Sequence, residues 1–198
     1  MFGATPTPSV TPTPSITPTP SITPTPTPTV TPTPSVTPTP RGSRVVLWPN
    51  NVGDQADWNT AGFAQNVNNV NRIVPSPAIY NWTLTTTNYD MYGMDDMAET
   101  DAIDHITIYG SMRNSFVEST ASTASVRLGY RLSGTNYWGN TCSLTQSYAM
   151  YSTTWNINSD TGVAWNQESI DDIQIGVIYD SGDGKPEINQ EYLEIWFE

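Results

Sequence analysis

A run in which proline occupies almost every second position constrains this chain more than any other feature. Residues 5–40 consist of 13 Pro, 14 Thr, 4 Ser and 5 Val or Ile. Proline lacks a backbone N–H, fixes φ and pushes the preceding residue into an extended conformation, so neither a helix nor a sheet ladder can form here. The run predicts a stiff polyproline II arm of about 110 Å, at ~3.1 Å per residue.

The arm divides the chain into three predicted parts. Residues 1–4 are a leader remnant, residues 5–41 are the Thr/Pro arm and residues 42–198 are one folded domain. Thr and Ser combined with Pro are typical of O-glycosylated stalks. The arm is either an inert spacer or an element through which copies of the chain assemble. The hydroxyls predicted to carry sugars are Thr5, Thr7, Ser9, Thr11, Thr13, Ser15, Thr17 and Thr19.

Charge and rare residues exclude several classes of function. A net charge of -12, with Lys185 as the one lysine, argues against nucleic acid or anionic lipid as a partner. No window approaches the ~18 apolar residues of a membrane span, so membrane insertion is not expected. One Cys excludes a disulfide scaffold, and one His excludes a multi-histidine metal centre. The arm, the scarcity of lysine and the sequon Asn81-Trp82-Thr83 predict an extracellular or cell-surface protein, with N-glycosylation at Asn81.

From Arg44 onward, apolar residues alternate with polar ones and turn residues punctuate the pattern, which indicates β-strands. The fold class predicted is all-β: a two-sheet antiparallel sandwich of jelly-roll type behind a polyproline II arm. Residues 49–77 and 85–102 are interpreted as long connections. The predicted strands are 44–48, 78–84, 105–112, 125–132, 147–155, 173–180 and 191–197, with a short helix at 165–173.

Two pairings are predicted from this pattern. The strands at 105–112 and 125–132 are expected to be neighbours in one sheet. The strands at 173–180 and 191–197 are expected to form a hairpin, because SGDGKP between them has the composition of a compact turn.

Residues 105–198 resemble a β-sandwich module of phage tail and appendage proteins and secreted surface proteins. The likeness lies in the order of a strand, the turn GTNYWG, the strand LTQSYAMYS, the segment TGVAW, the strand DIQIGV and a last aromatic strand. It implies a jelly-roll-like fold with a structural or adhesive role, and it implies no catalytic residues. The arm resembles the Thr/Pro linkers of secreted polysaccharide-degrading enzymes.

Acidic and aromatic side chains supply the candidate sites of the folded domain. No cofactor is required, but a hard cation would relieve the repulsion among acids at 90–104, so calcium is a candidate there, bound by Asp95, Asp96, Glu99 and Asp101. Solvated acids on a loop are the alternative. A flat ring stacks on the apolar face of a sugar, and the aromatics expected to be exposed for this purpose are Trp58, Tyr137 and Trp138. Trp155 and Trp196, at strand positions, are expected in the core.

No motif singles out a catalytic group, so we predict that the protein is not an enzyme. His105 is expected on a sheet face and Cys142 is expected to be buried. The interpretation from sequence is an extracellular filament subunit or fibre-tip adhesive module, with other copies as partners and the segment RVVLW (44–48) as a strand donated between copies. The alternative is a carbohydrate-binding module on a linker, with glycans as partners. A hydrolase with two carboxylates in the 90–104 segment is a third hypothesis.

Overall fold

The computed structural model describes Gly3 and residues 42–115 and 122–198, so the predicted arm and its glycosylation sites lie outside the described residues. The described part contains eleven strands and two short helices. They are β1 (Arg44–Leu47), β2 (Pro49–Ala56), β3 (Asn59–Ala61), α1 (Asn66–Val70), β4 (Tyr80–Trp82), β5 (Tyr89–Met94), β6 (Ile103–Asn114), β7 (Ala124–Leu132), β8 (Thr135–Ser143), β9 (Ala149–Trp155), α2 (Gln167–Asp171), β10 (Gln174–Gly182) and β11 (Pro186–Phe197).

The strands form two antiparallel sheets that enclose one core. Sheet A has the order β3-β4-β11-β6-β9, with β1 also paired to β11, and sheet B has the order β2-β5-β10-β7-β8. Alternate side chains of the inner strands, such as Ile108 on β6 and Leu128 on β7, are fully buried between the sheets. This arrangement confirms the predicted two-sheet antiparallel sandwich of jelly-roll type.

Strand β11 organises sheet A. It begins at Pro186, where a missing N–H costs least, and it pairs with β6 along its whole length. Its first residues also pair with β4, and residues 193–196 pair with β1. A bulge between Ile188 and Gln190 resets the alternation, so that Ile188 points inward before the bulge and Leu193 and Ile195 point inward after it.

Both predicted pairings are wrong. Strands β6 and β7 lie in different sheets and face each other across the core, because the apolar side of each strand can be buried by either arrangement. Strands β10 and β11 also lie in different sheets. The SGDGKP segment crosses between them, and its Asp183 and Gly184 amides donate to the Thr123 carbonyl at 3.0 and 2.8 Å.

The predicted strands all occur, although 78–84 is reduced to Tyr80–Trp82. The long connections are wrong, because 49–77 contains β2, β3 and α1, and 85–102 contains β5. The GTNYWG segment is largely strand β8. Ser133 and Gly134, with φ of 50° and 81°, make the two-residue turn before it. Helix α2 confirms the predicted short helix and is capped by Asn166, whose side chain accepts from the Ser169 amide at 2.9 Å.

Candidate functional site

The face of sheet A that points away from the core, here called the outer face of sheet A, carries rings where a solvated sheet face normally carries polar side chains. Strand alternation produces this arrangement, because inward Leu193 and Ile195 on β11 alternate with outward Tyr192 and Trp196. The side chains on this face that carry rings are Trp48, Tyr80, Trp82, His105, Tyr109, Tyr148, Tyr192 and Trp196.

Trp48, Tyr192 and Tyr109 form the first of three rows that cross this face. The ring centroids of Trp48 and Tyr192 are 5.0 Å apart, and those of Tyr192 and Tyr109 are 4.9 Å apart with nearly parallel planes. All three side chains are half-buried. The row spans about 10 Å, because neighbouring strands lie ~4.8 Å apart.

The second row consists of Arg44, Trp196 and His105, which the strand register places side by side. The His105 ring stacks on Trp196 at 5.7 Å, and the Arg44 guanidinium lies 5.5 Å from the Trp196 ring centroid. Between the first and second rows lies Glu194, which is nearly buried and accepts from Arg44 at 2.7 Å. Burial and the neighbouring Glu194 carboxylate raise the pKa of Tyr109.

The third row lies on the N-terminal side of the β11 bulge. Here the strand register places Trp82, Glu187 and Arg113 side by side. The Glu187 carboxylate is only 1% exposed, and it accepts from Arg113 Nε at 2.7 Å and from Lys185 Nζ at 3.1 Å. The Tyr148 hydroxyl donates to it at 3.2 Å, and the Ser115 hydroxyl donates as well. Burial alone would raise the pKa of Glu187, but the hydrogen bonds from Ser115, Arg113 and Lys185 outweigh burial and lower it.

Aromatic rings surround the two cations of the third row. Lys185 Nζ lies 4.4 Å from the Trp82 ring centroid and 5.2 Å from that of Tyr80. The Arg113 guanidinium lies 4.5 Å from the Tyr148 ring centroid. These distances are those of cation–π contacts, which hold the cations in place at the surface.

The three rows are evenly separated along β11. Tyr192 and Trp196 are four residues apart, about 13 Å at ~3.3 Å per residue. Glu187 and Tyr192 are separated by a similar length once the extra bulge residue is discounted. The outer face of sheet A therefore presents aromatic and charged groups over roughly 26 Å.

The outer face of sheet B carries a smaller aromatic pair, which includes the predicted sugar-binding residue Trp138. Its ring lies against Gly129, so closely that a Cβ on Gly129 would stand 2.5 Å from Trp138 Cε3. Tyr89 contacts the same ring edge-on at 5.7 Å. Tyr137 points the opposite way, into the sandwich, where it stacks on Tyr130 at 5.0 Å and donates to Asp160 at 2.6 Å.

Two predicted surface residues are buried. The prediction that Trp58 is exposed is wrong, because the residue is 3% exposed and donates its indole N–H to the Asn88 carbonyl at 3.1 Å. Asn81, the predicted glycosylation site, is fully buried, and its amide nitrogen donates to the Asn66 carbonyl and the Tyr92 hydroxyl. The folded domain has no room for a glycan on that nitrogen.

A polar network inside the sandwich anchors the Asn-rich segment, which was interpreted from the sequence as part of a long connection. Asp90 accepts from the Trp58 amide at 2.8 Å, the Asn66 side chain at 2.6 Å and the Tyr92 hydroxyl at 2.9 Å. Burial raises the pKa of Asp90 to about 6, although these hydrogen bonds oppose the shift. Near this network lies Glu191, which is fully buried, and neither of its carboxylate oxygens has a hydrogen-bond partner among the described residues. Burial, then the charge of Asp90, raises the pKa of Glu191 well above its usual value.

The four predicted calcium ligands are exposed and are not gathered at one point. Asp95 accepts from the Asn50 side chain. Within residues 42–115 and 122–198, no three acidic, His or Cys side chains are close enough to hold a metal ion. Calcium binding by Asp95, Asp96, Glu99 and Asp101 stays a prediction with no clustering to support it.

The lone histidine belongs to the second row of the outer face of sheet A, and the lone cysteine lies on β8. His105 lies on a sheet face, as predicted, and bonds Asp104 at 2.8 Å. Cys142 is half-buried on β8 rather than fully buried, and burial raises the pKa of its thiol. No helix in the described part of the chain is long and apolar enough to cross a membrane.

Sequence reasoning missed the residues of the outer face of sheet A. Trp196 was expected in the core, yet it points outward in register with His105. The signal was present in EYLEIWF, where two aliphatic residues alternate with Tyr192, Glu194 and Trp196. An alternating strand with two apolar faces indicates that one of them serves contact with something other than its own core.

Comparison with known proteins gives matches among solved structures alone. No protein-family model matches the sequence, and no curated protein sequence matches it. One similar structure is the xylan-binding module CBM15, with 16% sequence identity, a TM-score of 0.43, and coverage of 78% of this chain and 97% of the module. Another is the CBM22-1 xylan-binding domain from Paenibacillus barcinonensis Xyn10C, with 9% identity, a TM-score of 0.42, and coverage of 81% and 99%. Both TM-scores are below 0.5, so these similarities give no information about the ligand of this chain.

Proposed function

We propose that the domain binds an extended polysaccharide across the outer face of sheet A. The observation that carries the proposal is the set of three ring-bearing rows along β11, on a sheet face that does not contribute to the core. An aromatic patch on a face of this kind is a contact surface for a ligand or a partner.

The composition of the rows favours a sugar chain over an apolar protein partner. Each row of rings lies next to a carboxylate–cation pair, Glu194 with Arg44 and Glu187 with Arg113. Rings that contact C–H groups beside charged groups that bind hydroxyls suit a ligand with apolar faces and polar edges. A wholly apolar partner would leave these charged groups without water or other polar partners.

The length of the surface favours a polymer. Rows about 13 Å apart along one strand can be contacted together by an extended chain but not by a single sugar ring. The role proposed is therefore non-catalytic retention of the protein on a polysaccharide outside the cell, with residues 5–41 as a linker.

We propose this role in place of the filament subunit. The segment expected to be donated between copies, RVVLW, pairs with its own chain, because Arg44 to Leu47 lie opposite Trp196 to Leu193 of β11. Strand β1 therefore already has a partner on one side.

The test is binding of the full chain to a panel of soluble and insoluble plant and microbial polysaccharides, with matched tryptophan variants. Trp48→Ala removes a ring from the first row, and Trp138→Ala removes one from the outer face of sheet B. Loss of a central contact residue costs about 2 kcal/mol, or roughly 30-fold in Kd. We expect that loss for Trp48→Ala and an unchanged Kd for Trp138→Ala.

Two outcomes would overturn the proposal. If Trp138→Ala abolishes binding and Trp48→Ala does not, the site lies on sheet B. If no polysaccharide binds and Trp48→Ala instead changes the oligomeric state measured by sedimentation, the outer face of sheet A is an interface between copies of the chain.

A further inference from the structure

We infer that the polysaccharide carries acidic groups, and that Lys185 and Arg113 select a uronic acid carboxylate at the third row. This inference rests on the proposed function and names the ligand class of the same surface. It is carried by an excess of positive charge among the described residues of an aromatic site.

Among the described residues, the charge balance at the third row is opposite to that of the protein as a whole. Two cations, Lys185 and Arg113, bind a single carboxylate, Glu187, in a chain that has 7 basic and 19 acidic residues. The other ion pairs between arginine and a carboxylate in the described residues match one cation with one acid: Arg44 with Glu194, Arg127 with Asp180, and Arg131 with Asp54.

The two cations also keep hydrogen-bonding capacity for a ligand. Arg113 donates to Glu187 through Nε, and its terminal amino groups make no side-chain hydrogen bond in the described part of the chain. Lys185 has three N–H donors, of which one is directed at Glu187. The side chains of Lys185 and Arg113 are 24% and 28% exposed, whereas that of Glu187 is 1% exposed. The Glu187 carboxylate is thus buried beneath the two cations, and the cations lie at the surface.

The surrounding rings restrict what such a cation pair can bind. Trp82, Tyr80 and Tyr148 contact the cations and supply flat surfaces beside them. A sugar ring with a carboxylate substituent can stack on an aromatic ring and place its charge between Lys185 and Arg113. Screening limits the attraction to about 8 Å at physiological salt, so the net charge of -12 does not cancel a contact of this kind.

The experiment compares three ligands on the full chain: polygalacturonate, the same polymer with its carboxyl groups methyl-esterified, and a sulfated glucan. Esterification keeps the backbone and removes the charge. We expect at least tenfold tighter binding of the acid than of the ester, and a smaller ratio at higher salt. Tighter binding of the sulfated glucan than of the acid would overturn the assignment to a uronate carboxylate.

Matched charge variants locate the effect. Lys185→Met should remove most of the preference for the acid, and Lys185→Arg should retain it. The control is Arg131→Met, which removes a cation of similar exposure, 23%, on sheet B and should leave the preference unchanged. Thermal unfolding of each variant verifies that it folds.

The outcomes separate this inference from the proposed function. Equal binding of acid and ester, with loss of both in Trp48→Ala, would overturn the acidic ligand and leave polysaccharide binding intact. An acid preference that survives in Lys185→Met would also overturn the inference. Binding of neither acid nor ester nor any neutral polysaccharide would overturn both proposals.

Discussion

Replacing Glu191 by methionine should stabilise the domain, and the gain should grow with pH. Glu191 is fully buried without a hydrogen-bond partner among the described residues, and burial raises the pKa of its carboxyl. A raised pKa means that the folded state binds the proton more tightly than the unfolded chain. The stability contributed by this protonation is complete below the unfolded pKa and is lost as pH rises through the folded pKa.

The magnitude follows from two contributions. An unpaired buried polar group costs about 1–3 kcal/mol, which methionine of similar length avoids. In addition, the Glu191 carboxyl lowers the free energy of unfolding of the wild type by about 1.4 kcal/mol for each pH unit between its unfolded and folded pKa. The variant lacks this carboxyl and therefore lacks this loss. Since each kcal/mol shifts Tm by about 2–4 °C for a domain of this size, the difference is readily measured.

The pH window is set by Asp90. Its pKa rises from 3.8 to about 6, so this group removes about 3 kcal/mol of stability as pH rises, nearly all of it below about pH 7. Denaturant unfolding at several pH values from about 7 to 8 therefore isolates Glu191. The wild type should lose stability across this window, and Glu191→Met should lose much less.

The matched control is Glu187→Met, which removes a buried glutamate whose pKa is lowered by its partners. This variant should be less stable than the wild type, because Arg113 and Lys185 lose their carboxylate. The slope of its stability against pH above about pH 7 should equal that of the wild type. A Glu191→Met protein that is less stable than the wild type at pH 8, with an unchanged slope, would refute the reasoning.

Three further predictions concern single positions. Gly129→Ala should destabilise the domain by about 1–3 kcal/mol in chemical denaturation, because its Cβ would collide with Trp138, and an unchanged midpoint would contradict that packing. In a glycosylating host, the intact mass should show no N-glycan on Asn81, because this side chain is buried. Thr83→Ala should then change the mass only by the substitution itself. A glycan mass that disappears in this variant would contradict the burial of Asn81. Cys142 should react with a thiol reagent more slowly than a free cysteine at pH 8, because burial raises its thiol pKa, and a rate equal to that of free cysteine would be inconsistent with its position.

Local patterns predicted the strands well and their arrangement poorly. Alternation within 105–112 and 125–132 identified β6 and β7, because side-chain direction repeats every two residues whatever the partner strand is. Pairing depends on contacts between residues distant in sequence, and an apolar face can be buried by a neighbour in the same sheet or by the opposite sheet. The same limit explains why β10 and β11 read as a hairpin although they belong to different sheets.

The candidate site was only partly predictable for a related reason. An aromatic residue in a strand can serve the core or the outer face. The alternation around Trp196 indicates that the strand has two apolar faces, but Ile195 and Phe197 are apolar as well, so it does not identify which face points to the core. For polar segments the error was the opposite one, because residues predicted to be exposed are buried. The Asn-rich stretch that contains Trp58 and Asn66 looked like an exposed loop, yet Asp90 and a group of amides satisfy one another in the interior.

The most direct measurement of the central claim is nuclear magnetic resonance of the indole N–H groups during titration with the tightest-binding polysaccharide. The chain has 7 tryptophans, of which Trp48, Trp82 and Trp196 lie on the outer face of sheet A. Polysaccharide binding to that face predicts that these three signals shift together, while those of Trp58 and Trp138 remain in place. A titration that shifts the Trp138 signal alone, or none of the seven, would contradict the account.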